Sequence, residues 1–164
     1  MNSSDEFACQ QICDPKRPIT YVPGKGKHRR FEFMLVDGDT KESIAQPATI
    51  RQLISPFINP DKLTIARSAV YTFHGLTVAQ WRKERLILAG DSAHQMPPFA
   101  GQGMCSGIRD AHNLAFKLDL VLSGKATERL LDTYQTERKP HVTAISKGAI
   151  KMGQLIQTQN RFLA

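Results

Sequence analysis

The sequence predicts an α/β chain, α+β in the layout of these 164 residues. Phe31, Phe33 and Leu35 alternate with Arg30 and Glu32, the period of two that marks a half-buried strand. Farther on, Met104, Ile108, Ala111, Ala115, Leu118 and Leu122 recur at helical spacing, which predicts a core-facing helix stripe. The composition changes from β-like to helical near residue 80.

Taken in order, residues 18–22 and 29–36 read as strands on either side of the turn cluster Val22-Pro-Gly24-Lys-Gly26. Asp37, Gly38 and Asp39 end the second strand. Pro47–Ile54 reads as a short helix, because proline at a first helical position forfeits no hydrogen bond. Asn59, Pro60 and Asp61 punctuate, and 62–74 is a β-like run of Ile, Val, Thr, Tyr and Phe. Residues 85–89 form a short strand. Gly103–Leu122 follows as a helix, with Gly124 placed to cap it. Thr127 is expected to cap a second helix, which Pro140 breaks or kinks before helical periodicity resumes over 142–157.

The net charge of +7 raises a nucleic-acid reading, with Lys25, Lys27, His28, Arg29 and Arg30 clustered. No aromatic interleaving accompanies the cluster, so a solvated hairpin tip is expected and no nucleic-acid partner. No apolar run approaches the length of a membrane span, and no membrane partner is expected. The N-terminal residues lack the basic and apolar regions of a secretory signal. Cys9, Cys13 and Cys105 show no framework spacing, which fits a reducing, cytoplasmic setting. No metal site is expected, since His94 and His112 lie far from ligand spacing.

The chemistry concentrates in Arg85-Leu-Ile-Leu-Ala-Gly-Asp91-Ser-Ala-His94-Gln-Met-Pro97-Pro98-Phe-Ala-Gly101-Gln-Gly103-Met-Cys-Ser-Gly107. An apolar run ends in Gly-Asp, a Pro- and Gly-rich loop follows, and a helix begins. A carboxylate at a strand end accepts hydrogen bonds from hydroxyls. The first turn of a helix offers unpaired N–H groups and partial positive charge. Glycines there let a ligand approach the backbone. The plainer alternatives are that Asp91 caps a local turn and that the loop merely leads into a core helix. His94 is expected to pack or bond under the loop rather than do chemistry.

This segment resembles the second FAD-binding motif of the flavin-dependent aromatic hydroxylases, the PHBH-like single-component monooxygenases of the hydroxyphenylpropionate hydroxylase type. The resemblance continues through Asp110-Ala-His-Asn-Leu-Ala-Phe-Lys117 and Tyr134-Gln-Thr-Glu137-Arg138-Lys-Pro140. It implies that Asp91 binds the ribityl chain of FAD, that amides of the 101–104 segment meet the pyrimidine end of the ring, and that Pro98 lies near its reactive edge. The cofactor-binding candidates are Gly90, Asp91, Pro98, Gly101, Gln102, Gly103 and Met104. Tyr134, Glu137 and Arg138 resemble a structural signature in which an Arg–carboxylate pair joins two helices.

The same resemblance implies a substrate-domain sheet over 1–80 and a return to the FAD domain over 81–164. It also implies a reaction in which NADH or NADPH reduces FAD, and dioxygen then yields a C4a-hydroperoxide that hydroxylates a phenolic acid. The cofactor carries that chemistry, so no catalytic side chain is named. Tyr71, Phe73 and His74 either wall the aromatic substrate or pack in a core. The Gly-x-Gly-x-x-Gly turn and the middle motif of such enzymes are absent from these residues, so a partial chain, inactive alone and needing the rest of its parent, is expected. Homo-oligomerisation stays open. A truncated flavoprotein without catalysis is one alternative. A Gly-Asp-Ser hydrolase built on Ser92 and His94 is another, although its nucleophile and base would overlap in one short segment.

Overall fold

The computed structural model describes residues 8–160. They divide into two compact units, one of 8–72 with 154–160 and one of 73–153.

The first unit carries a three-stranded antiparallel meander of β1 (Gln10–Ile12), β2 (Ile19–Pro23) and β3 (Arg29–Phe33). The β2–β3 hairpin matches the alternation in the sequence, with Tyr21 opposite Phe31 and Ile19 opposite Phe33. Ile19 and Tyr21 are buried. Phe31 meets Tyr21 at 5.1 Å and Phe57 at 5.5 Å between ring centroids, the spacing of favourable aromatic pairs. The basic cluster sits on the exposed hairpin tip, where Gly26 takes φ +64°. β3 ends at Phe33, three residues before its expected end, and β1 was not legible from periodicity.

Helix α1 (Lys41–Ile44) starts with a reciprocal cap between Thr40 and Ser43. Helix α2 (Pro47–Ile54) has Pro47 in its first turn, as expected. Arg17 forks onto Asp39 at 2.6 and 3.2 Å and also donates to the Met34 carbonyl. That guanidinium, helped by the Val36 N–H, holds the Asp39 carboxyl below its usual range.

The expected strand over 62–74 is not found. Residues 60–62 form a short helical turn capped by Asn59, and 63–75 has no ladder partner among the described residues. β-propensity reflects packing on a pleated surface, so without a neighbouring edge it does not make a strand.

In the second unit β4 (Leu76–Thr77) pairs with β7 (His94–Gln95), and β5 (Arg82–Lys83) pairs with β6 (Leu86–Ile87), both antiparallel. Trp81, Ala93, Tyr134 and Val142 form the buried core, with Ile87, Leu88, Met96 and Leu114 packed against it. The Trp81 indole N–H donates to the Val78 carbonyl at 3.1 Å, and its ring centroid lies 5.6 Å from that of Tyr134.

Helix α3 (Gly103–Leu122) has the expected bounds. Gly124 at φ +71° ends it, donating to the Val121 carbonyl while Lys125 donates to that of Leu120, the pattern of a Schellman cap. Helix α4 (Arg129–Ile156) begins two residues beyond Thr127, whose carbonyl accepts the Leu130 N–H. It runs through Pro140 as one helix, so of the expected break or kink the break is not found. Tyr134 and Arg138 before the proline and Val142 and Ala149 after it are all buried. Packing on both sides offsets the missing backbone bond.

The face that α3 buries is opposite to the one its apolar stripe predicts. Met104, Ile108 and Leu122 are 76%, 60% and 81% exposed, and Ala111 and Ala115 are exposed too. The buried residues of α3 are Ser106, Asp110 and Lys117. Asp110 and Lys117 find charged partners on α4, which makes their burial tolerable. Among the described residues no helix is long and apolar enough to cross a membrane.

Candidate functional site

The candidate loop joins β6 to α3. The strand is shorter than the expected 85–89, ending at Ile87, though Leu88 still donates to the Trp81 carbonyl at 2.8 Å. Asp91 therefore sits in a short helical turn, Gly90–Ser92, rather than at the strand end. Ser92 closes this turn on itself, its hydroxyl donating to the Ala89 carbonyl at 2.7 Å and accepting the Ala89 N–H at 3.2 Å.

Gly90 takes φ +57°, a left-handed conformation that glycine adopts without a Cβ penalty. Its backbone lies directly on α3, where a Cβ on Gly90 would stand 3.7 Å from the Gly107 Cα. The Gly90 N–H donates to Asp110 Oδ2 at 3.0 Å. The same oxygen pairs with His94 Nε2 at 2.6 Å, while Asp110 Oδ1 accepts from Arg138 Nε at 2.8 Å. Asp110 is fully buried and His94 nearly so. One carboxylate thus ties the turn, β7 and α4 to α3.

His94 bonds beneath the loop, as the sequence suggested, and the Arg–carboxylate pair between helices is Arg138–Asp110. Sequence reasoning did not single out Asp110. The available signal was the polar stripe Ser106, Asp110, Asn113 and Lys117 at helical spacing, facing a second helix that offers Glu137 and Arg138. There, buried Lys117 donates to Thr133 and pairs with Glu137 at 2.8 Å, while Asn113 donates to the same Glu137 oxygen. The Lys117 hydrogen bond, helped by Asn113, holds the Glu137 carboxyl down at about 2. Burial, reinforced by the Asp110 charge, pushes the Tyr134 phenol above its usual range, and its OH donates to the Leu88 carbonyl.

The remaining candidates lie along the loop and the start of α3. Asp91 is exposed and has no hydrogen-bond or ion-pair partner among the described residues. Pro98, in a second short turn (Pro98–Ala100), and Gly101, at φ +61°, are also exposed. A Cβ on Gly101 would meet open space. α3 starts without a side-chain cap, leaving the Gly103, Met104 and Cys105 N–H groups without an intrahelical partner. Gln102 at the cap position makes no cap bond, and its side-chain oxygen accepts from Arg109 at 3.3 Å instead. The adjoining Phe99 ring lies against Gly153 of α4, in space that any side chain there would occupy.

Chemically, the segment presents a free carboxylate, an uncapped helix start and an open glycine backbone. Gly90 at one end and Gly103 at the other both bear on the first turns of α3. Ser92 and His94 are each engaged with other partners, so they do not form a nucleophile–base pair, which removes the geometric basis of the hydrolase alternative. Tyr71, Phe73 and His74 are exposed, not core. Two surface depressions of about 460 Å³ lie elsewhere, one along α4 at Gln135, Lys139 and Lys147 and one at Arg17, Phe33 and Asp39 in the first unit.

The chain is similar to known proteins over most of its length. The model of the family described as "FAD binding domain" matches residues 1–149. The chain is 44% identical over 155 residues to the "Probable NADH-specific resorcinol 4-hydroxylase" of Rhodococcus jostii, covering 94% of this chain and 29% of that protein. It is 44% identical over 153 residues to the 3-(3-hydroxy-phenyl)propionate/3-hydroxycinnamic acid hydroxylase of Escherichia coli, covering 92% of this chain and 27% of that one. The chain thus spans less than a third of the length of these curated relatives. Among solved structures, the flavin-dependent monooxygenase PieE in complex with FAD and substrate superposes with a TM-score of 0.71 at 29% identity, over 87% of this chain and 25% of that one. The α+β architecture is accordingly that of the PHBH-like FAD-dependent monooxygenases. From the family match over residues 1–149 and the relatives' 44% identity, the chain belongs to the FAD binding domain family.

Proposed function

We propose that the chain is the flavin-contacting part of an FAD-dependent, NAD(P)H-using monooxygenase that hydroxylates a phenolic aromatic acid. The observation that carries this reading is the exposed, unpaired carboxylate of Asp91, on a turn clamped against the same helix whose first amides lack a cap. The kinship with an NADH-specific resorcinol 4-hydroxylase and a hydroxyphenylpropionate hydroxylase supports the substrate class and the nicotinamide.

The residues fit FAD. Asp91 offers an acceptor for ribityl hydroxyls, and Gly90 lets the backbone approach closely. The N–H groups of Gly103 and Met104 suit an electron-rich carbonyl edge, and the helix dipole favours negative charge there. Pro98, Gly101 and Gln102 lie on the loop that leads into that helix start. Bound FAD, once reduced by NADH or NADPH, supplies the activation of dioxygen. The chain's own part is to bind, orient and polarise. In this proposal 1–80 contributes substrate-domain structure, with Tyr71, Phe73 and His74 as candidates for walling the phenol, and 81–164 contributes the FAD domain. Dioxygen, the phenol and the remainder of a longer parent are the implied partners.

Flavin titration followed by fluorescence tests the reading. Asp91→Ala should weaken FAD binding by about 1–3 kcal/mol, the loss of a charge-assisted acceptor, with Ser92→Ala affected less. Equal affinity of Asp91→Ala and the unaltered chain would remove Asp91 from the site.

A further inference from the structure

The geometry points to Asp110 and His94 as the residues that position Asp91 for the flavin, an inference that rests on the function proposed above. Asp91 has no hydrogen-bond or ion-pair partner among the described residues, so what the fold fixes is the backbone from which its side chain departs. That backbone is anchored on both sides. Before Asp91, the Gly90 N–H donates to Asp110 Oδ2 at 3.0 Å. After it, His94 Nε2 meets the same oxygen at 2.6 Å. Residues 90 and 94 thus bracket the turn, and one buried oxygen holds both ends.

A lock is needed here because Gly90 is a glycine in a left-handed conformation, free to leave it at little steric cost. The other carboxylate oxygen shows that Asp110 does more than join helices. Oδ1 alone makes the helix–helix pair with Arg138, at 2.8 Å, while Oδ2 is given entirely to the loop. A carboxylate oxygen only accepts, so the contact is made with Nε2 of His94 as the donor. Nδ1 is buried and has no hydrogen-bond partner among the described residues, so Asp110 is the polar group that holds the ring. Asp110 and His94 touch no ligand in this scheme and act through the Gly90–Ser92 turn.

The test uses two readouts on the 164-residue chain. The first is amide hydrogen exchange without flavin. The Gly90 and Ala93 amides should be protected in the unaltered chain and exchange about tenfold faster in Asp110→Asn and in His94→Phe. The second variant keeps the Arg138–Asp110 pair, so it remains informative if the first unfolds. Unchanged Gly90 protection in folded His94→Phe would overturn the clamp. The second readout is FAD affinity in a double-mutant cycle. His94→Phe should weaken binding about tenfold when Asp91 is present and leave it unchanged in the Asp91→Ala background. An equal loss in both backgrounds would mean a merely structural role and would overturn the positioning. If the unaltered chain takes up no FAD, the function proposed above fails, and the exchange readout still decides the clamp.

Discussion

Gly90 and Gly107 meet backbone to backbone. A Cβ on Gly107 would stand 3.6 Å from the Gly90 Cα, and one on Gly90 would stand 3.7 Å from the Gly107 Cα. Both distances are ordinary van der Waals contacts, so space does not forbid alanine at either position. Conformation separates them, because Gly90 is left-handed and Gly107 is helical. Gly90→Ala should destabilise the chain by about 1 kcal/mol, while Gly107→Ala should be neutral or stabilising by up to about 1 kcal/mol. Urea unfolding midpoints that move together would refute the distinction.

The Phe99 ring occupies the notch left by Gly153. Gly153→Ala should push the ring out and loosen the loop from Pro98 to Gly101, costing about 1–3 kcal/mol. The near-ultraviolet signal and the Gly101 amide exchange should change together. An unchanged Phe99 environment by aromatic NMR would show that α4 yields instead.

The two faces of α3 should respond oppositely to substitution. Replacing Met104, Ile108 or Leu122 singly with serine should change stability by no more than about 0.5 kcal/mol, as at exposed positions generally. Ser106→Leu, on the buried side, should cost about 1–3 kcal/mol by overpacking. Large losses at Ile108 and none at Ser106 would restore the orientation that periodicity predicts.

Acid should weaken the α3–α4 pairing through Glu137. Its folded carboxyl titrates at about 2, below the ordinary 4.5, because Lys117 and Asn113 bond the charged form. The stabilisation is complete above pH 4.5 and is lost as pH falls toward 2. The side chain is half-exposed, so solvent screens the effect. Glu137→Gln should flatten this part of the stability profile without abolishing it, since Asp39 is also held low. Parallel profiles for the two chains would exclude Glu137 as a source.

Given FAD, NADH and a panel of hydroxyphenyl acids, the 164 residues by themselves should consume oxygen to hydrogen peroxide with little hydroxylated product. Asp91, Gly101 and Met104 face solvent, and a reduced flavin against them would be open to water. Product formed in step with NADH oxidation would contradict this.

The hairpin, α2 and the bounds of α3 were legible because local rules set them: alternation, proline at a helix start, glycine after a helix end. The loop was legible as a motif, although its strand shrank to Leu86–Ile87 and Asp91 moved into a turn. The orientation of α3 was not legible. Its apolar stripe is the stronger periodic signal, yet the partners of Asp110 and Lys117 lie 28 and 20 residues away along the chain, at Arg138 and Glu137. A non-local pairing of charges decided which face turned inward. Residues 62–74 failed for a related reason, since strand propensity says nothing about whether an edge is there to pair with.

The seam between α3 and α4 has a consequence for how the two helices can slide. Apolar side chains are interchangeable neighbours, and a greasy seam can slip by one turn while losing little. The paired residues of α3, Asp110 and Lys117, lie seven residues apart, while their partners on α4, Arg138 and Glu137, are adjacent in sequence. A slip would strand a buried carboxylate and a buried ammonium at once, each costing several kcal/mol, on the order of what a whole small domain holds in reserve. The helix pair therefore resists slipping, and the carboxylate that fixes the height of the Gly90 turn along α3 is one of the groups a slip would strand.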